Sequence, residues 1–255
     1  MDKGSRAAAR REARLPSGWK GALAAVLSWP LATGFRLIPA RHRVGAVLRL
    51  SIPVACVGRA LGRGSMTSGL TVRDRVIGRL LSMLHYRGVT YPADVSVVSD
   101  DGLDGPLLLL VRHSLLNQLL ISRLVYDGRP LTLVMSHLAG HVRTFGGNQG
   151  IDALGPSTMV LRAMTGRLEA GRILVVAIDG TMPSPGLTRV DTSTGPLYLA
   201  TQPIRLAIKM GAPMAVAVHD IRGGTLVSHI RRLVQADVAG IVAQYCDTYG
   251  IVVTR

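Results

Sequence analysis

A histidine closes one apolar run, Leu107-Leu-Leu-Leu-Val-Arg-His113, and an aspartate closes another, Ile173-Leu-Val-Val-Ala-Ile178-Asp179. An imidazole exchanges a proton near neutral pH, and a carboxylate beside it can fix its tautomer and support its charged form. Runs of this length and composition predict buried strands, and strand ends are where open α/β sheets build sites. Parallel neighbouring strands bring their carboxyl ends together, so Asp179 is a candidate partner for His113. Each residue also has a plainer reading. His113 alone fits a satisfied structural histidine, and Asp179-Gly180 is a common turn pair. A third polar segment, Asp191-Thr-Ser-Thr-Gly195-Pro-Leu-Tyr198, leads into an expected helix, where such groups cap the helix or bind an anion. His137 and His141 have i, i+4 spacing, but Gly140 lies between them and no third ligand is in evidence. A zinc site is not expected, and no other metal or cofactor is.

Elements that would position these residues follow from periodicity. Strands are expected over 95–99, 107–111, 131–135, 173–178, 214–219 and 225–229. Helices are expected over 114–126, 157–170, 197–210 and 236–245. Gly211 and Pro213 should end the third of these helices and admit the next strand. The fold class is α/β, a mixed, mostly parallel sheet covered by helices, with an N-terminal helical segment. Residues 1–16 are charged and alanine-rich and read as a disordered tail. Residues 17–90 read as amphipathic helices punctuated by Pro30, Pro39, Pro53 and the Gly62/Gly64 pair. Residues 91–255 form the α/β core, and 17–255 is one continuous domain.

Composition narrows the setting. The 255 residues carry a formal net charge of +15 and are 48% hydrophobic, with a mean hydropathy of +0.32. An oily, basic protein suits an anionic membrane surface, and arginine stems among Leu, Val and Ile can cover apolar surface with their heads wet. A basic, arginine- and alanine-rich proteome is the plain alternative. Aromatics are only 4%, too few for single-strand stacking platforms, and no nucleic-acid signature is present. Nucleic acid is therefore not the expected partner. Gly21–Thr33 is short and holds Pro30, while Val44–Gly62 holds Arg49, Pro53 and Arg59, so neither predicts a membrane span. The basic residues before Ala22–Leu31 also fit a signal peptide, but no clean small-residue cleavage site follows. Cys56 and Cys246 give no disulfide framework, which fits a reducing compartment.

Taken in order, the segments resemble the bacterial lipid A biosynthesis acyltransferase family, which includes lauroyl, myristoyl and phosphatidylinositol mannoside acyltransferases. That family belongs to the glycerolipid acyltransferase superfamily. The residues that carry the resemblance are His113-Ser-Leu-Leu-Asn-Gln118, Leu168-Glu-Ala-Gly171-Arg-Ile-Leu-Val-Val-Ala-Ile-Asp179 and Gly211-Ala-Pro213-Met-Ala-Val-Ala-Val. It covers about residues 100–230. It implies acyl transfer from acyl-coenzyme A or acyl carrier protein to a lipid, glycolipid or small-molecule acceptor bearing a hydroxyl or amine. The protein would sit peripherally on the cytoplasmic face of the membrane. His113 would be the general base, Asp179 its charged helper and Gln118 an orienting residue. Asn117, Arg143, Arg162, Gly180, Thr181, Arg189 and Gly195 are the candidate substrate-binding residues. The family has an acid where this chain has Gln118. A protein that keeps the acyl-binding fold without catalysis is thus the alternative.

Overall fold

The computed structural model describes short stretches between residues 30 and 80, then residues 95–114, 116–134, 151–155, 157–180, 186–222, 225–234 and 236–254. The expected tail, Cys56, His137 and His141 lie outside the described residues, as does most of 17–90.

The centre of the molecule is strand β2 (Leu107–Val111), whose five residues are all buried. Its leucines alternate between two cores. Leu108 and Leu110 face one side with Leu174, Val176, Met214 and Val216. Leu107 and Leu109 face the other with Ile173, Val175, Ala215 and Ala217. A strand with apolar residues on both faces needs cover on both faces, which is why its sequence is continuous rather than alternating. Helix α1 (Asn117–Tyr126) covers the second face through Leu120, Ile121 and Leu124. Helices α2 (Val160–Glu169), α3 (Gln202–Met210) and α4 (Val238–Thr248) cover the first.

Around β2 stand β1 (Val95–Ser99), β3 (Leu131–Val134), β4 (Ile151–Leu154), β5 (Ile173–Ala177), β9 (Met214–Arg222) and β10 (Thr225–Leu233). The order is β1-β10-β9-β2-β5-β3-β4. Five neighbouring pairs are parallel and only β9/β10 is antiparallel. The protein is therefore α/β, with a mostly parallel mixed sheet flanked by helices. A second, antiparallel sheet has the order β6-β8-β7, from β6 (Asp179–Gly180), β7 (Thr188–Thr192) and β8 (Gly195–Leu199). On the α1 side, Phe35, Val47 and Ile77 pack with Val95, Leu116, Leu119 and Leu226.

Several expected bounds shift. Residues 197–199, expected to be helical, form the end of β8, and the helix starts at Gln202 with Pro203 in its first turn. Leu199 is held in the sheet by pairing with both Asp179 and Thr188, so tertiary pairing overrides its helix propensity. Helix α1 begins at Asn117 and α2 at Val160, each three residues later than expected. Strands β9 and β10 run on to Arg222 and Leu233 because they pair with each other over nine residues. Gly211 ends α3 with φ of 62°, a left-handed conformation that glycine adopts without a Cβ penalty. No atom crowds that site, so Gly211→Ala is expected to cost about 1 kcal/mol through backbone strain alone, read as a lower urea midpoint at unchanged slope.

Candidate active site

Strands β2 and β5 are parallel neighbours, with Val111 opposite Ala177 at their last pair. Both chains therefore leave the sheet at the same edge. Two residues beyond each strand's last residue stand His113 and Asp179. Asp179 is 8% exposed and the His113 side chain 65% exposed, so the carboxylate forms the floor and the imidazole the surface of the site. One oxygen, Asp179 Oδ1, accepts the His113 backbone N–H at 2.7 Å and lies 3.2 Å from His113 Nδ1. An ionised carboxylate only accepts, so Nδ1 carries the proton and the lone pair is on Nε2. The hydrogen bond to Asp179 is the largest cause holding the His113 pKa above 6.5, outweighing partial burial. Asp179 Oδ2 faces Arg112 Nε at 3.8 Å.

Side chains also hold the backbone just before His113. Tyr249 Oη accepts the Arg112 N–H at 3.2 Å, and its ring lies 5.8 Å from the Arg112 guanidinium carbon. The Asn117 amide donates to the Arg112 carbonyl. Asn117 Oδ1 is 2.6 Å from His219 Nε2, and His219 Nδ1 is 2.9 Å from Ser228 Oγ. Since the Asn117 oxygen must accept, Nε2 of His219 carries the proton and Nδ1 accepts from the Ser228 hydroxyl. His219 is neutral here, because burial pushes its pKa down to about 4.

The structure brings together two of the expected site residues, His113 and Asp179. Asn117 is 6% exposed and uses both ends of its amide inside the protein, so it supports the floor of the site instead of facing a substrate. Gln118 lies in the first turn of α1 by its backbone; its side chain lies outside the description, as do Arg143 and Thr181. Gly180 pairs with Tyr198 in the second sheet. Gly195, with φ of 113°, opens β8 at the hairpin and serves the turn. Arg189 is exposed on β7 and bonded to Asp191 at 2.9 Å. Arg162 is exposed in the first turn of α2; that helix runs back into β5, so its first turn lies toward the site edge of the sheet. No hydrogen bond or ion pair joins it to the dyad.

Arg112, Tyr249, His219 and Ser228 were not among the expected site residues. His219 carried a visible signal, since it follows an apolar run as His113 does. Tyr249 carried only its i, i+4 spacing from Tyr245. Among the described residues, no group of three or more His, Cys, Asp or Glu is placed to hold a metal ion. Nor is any described helix long and apolar enough to cross a membrane.

No protein-family model and no curated protein matches the chain. The functional reading therefore stands on the residues themselves.

Proposed function

We propose that the protein is an acyltransferase with a glycerolipid acyltransferase-like core. It moves an acyl group from acyl-coenzyme A or acyl carrier protein to a hydroxyl or amine acceptor at the cytoplasmic face of the membrane. The observation that carries this reading is the His113–Asp179 pair at the carboxyl edge of two parallel strands, with Asp179 on Nδ1 and no partner for Nε2 among the described residues. An imidazole in that state is a general base with its tautomer already set. Nε2 takes the acceptor's proton as the acceptor oxygen or nitrogen attacks the thioester carbonyl. The C–S bond then breaks, and the imidazolium returns the proton to the departing thiolate. Asp179 stabilises the imidazolium throughout and stays ionised.

Other features agree with a chain-bearing substrate and a charged donor. A groove of about 710 Å³ has Val190, Val238, Val242 and Ile251 on its wall, together with Arg205 and Asp247. The second sheet links it to the site: Asp179 pairs with Leu199, and Leu199 with Thr188 on the groove wall. Its size is that of an ordinary ligand pocket. The net charge of +15 suits acidic acyl carrier protein and anionic lipid alike.

The test is release of free thiol from a panel of acyl-coenzyme A and acyl carrier protein thioesters in the presence of lipid extract. His113→Ala is expected to lower release by about 10²–10⁴-fold, the usual worth of a positioned base. Wild-type protein that binds acyl ligands and releases no thiol from any donor would overturn the catalytic reading in favour of a non-catalytic binding protein.

A further inference from the structure

Beside the site, the ladder between β2 and β9 is interrupted by a side chain. Leu108 N–H donates to the Pro213 carbonyl at 2.9 Å, and Leu108, Leu109 and Leu110 stand opposite Met214, Ala215 and Val216. Donors facing one neighbour recur every second residue along a strand. The same series therefore runs from Leu110 to Ala215, and its next member would join Arg112 N–H to the Ala217 carbonyl. At that place the Tyr249 hydroxyl stands between the two groups. It accepts from Arg112 N–H at 3.2 Å and donates to the Ala217 carbonyl at 2.5 Å. One ladder bond is replaced by two, and the strands are held apart by the width of an oxygen. The opposite end of residue 112, its carbonyl, is held by Asn117, itself braced by His219. His113 comes next in the chain, and Asp179 already binds its N–H.

We propose that Tyr249 is a spacer between β2 and β9 that sets where His113 stands against Asp179. It is a positioning residue: its hydroxyl gives its one proton to one backbone group and accepts from another, so it has no proton left for a substrate. The chain thus recruits a residue 136 positions downstream of His113 to hold a strand end that its own ladder no longer holds. Losing the hydroxyl leaves two poor choices. Either Arg112 and Ala217 close up into a direct bond and drag His113 inward, or both groups stay unpaired in a partly buried place. Each one disturbs the contact between His113 and Asp179. The inference concerns the site of the acyl-transfer reading, but only its kinetic arm depends on that reading.

The measurement is a ring-NMR titration of His113 in the full chain, with the signal assigned by its loss in His113→Ala. Among the described residues, the charged groups facing the imidazole are Asp179 and, through it, Arg112. The Tyr249 phenol stays protonated across the range, because burial raises its pKa far above the usual value. Wild-type His113 is expected to titrate above 6.5 and Tyr249→Phe to move it back toward 6.5. Thr248→Val is the control. It removes a hydroxyl from the last turn of α4 that donates only to the Gln244 carbonyl of its own helix, at 2.7 Å. It is expected to leave the His113 midpoint in place. With an active donor and acceptor, Tyr249→Phe should lower kcat about tenfold with KM within about twofold, as for a lost hydrogen bond that acts only on the base. Should Tyr249→Phe lose its near-ultraviolet dichroism, Asn117→Ala, which frees the other end of residue 112, carries the same expectation. A folded Tyr249→Phe whose His113 midpoint is unchanged, or a Thr248→Val that shifts it as far, would overturn the proposal.

Discussion

Asp179→Asn is expected to lower thiol release by about 10²–10⁴-fold, while Gln118→Glu leaves it within about twofold. The asymmetry follows from which group occupies Nδ1 of His113. Asp179 already accepts there and also fixes the His113 N–H, so its carboxylate orients the ring and supports its charge. An asparagine can keep its one oxygen at the Oδ1 position, but it loses the charge and sets an amide N–H₂ where Oδ2 faced Arg112. A glutamate at 118 has no open position on the ring to fill, since Nε2 must remain free for the acceptor. The same pairing sets a pH dependence. His113 acts as a base only when neutral, so the rate should rise with pH through a midpoint above 6.5, and Asp179→Asn should move that midpoint down. A large gain in Gln118→Glu, or its rescue of Asp179→Asn, would transfer the partner's role to position 118 and sink this assignment.

The second large effect concerns stability and does not depend on activity. Unfolding stability should fall by an amount on the order of 3 kcal/mol between about pH 6.5 and pH 4 because of His219 alone. In the folded protein its pKa lies at about 4, so an unfolded chain takes up the proton first as the pH drops. The native state then loses ground until His219 itself protonates, and the loss levels off below that point. His113 has the opposite sign. Its folded pKa is raised, so its contribution is fully present below 6.5 and fades as the pH climbs through the folded value. It therefore cannot offset His219 on the acid side. Urea midpoints for wild type and His219→Gln would separate this histidine from the carboxylates that titrate in the same range. Parallel curves for the two proteins would count against the buried, neutral imidazole.

Strands β2 and β5 were legible because burial on both faces leaves a continuous apolar run, and His113 and Asp179 were legible as the polar residues that end those runs. That β5 neighbours β2 was not legible, since the strand order is decided by pairing between segments more than 60 residues apart. Strand β4 was missed because its four residues are only half-buried and include Asp152. Strand β7, Thr-Arg-Val-Asp-Thr, was missed because an exposed sheet carries little apolar alternation. Leu197–Leu199 reads as the start of a helix until its pairing with β6 and β7 is known. Asn117 is a candidate substrate ligand only through the resemblance, and nothing in the sequence points to its inward bond with His219, which is 102 residues away. Tyr249 could not be found from its neighbours at all, because its function is a gap between two distant strands.

The strand order has a consequence for how the chain reaches this state. β9 and β10 are synthesised after every other strand of the large sheet, yet they stand between β1 and β2. While the ribosome is still making them, β2 can pair with β5 on one side only, and its other edge presents unpaired backbone flanked by leucines. Such an edge is a template for association with other chains. The hairpin from Met214 to Leu233 must then insert into a half-built sheet, and its mean sequence separation from β1 and β2 makes that step slow. Nascent or briefly unfolded protein should therefore depend on a holding chaperone far more than the finished fold does, and the site, which needs β9 and Tyr249, is assembled only after that insertion.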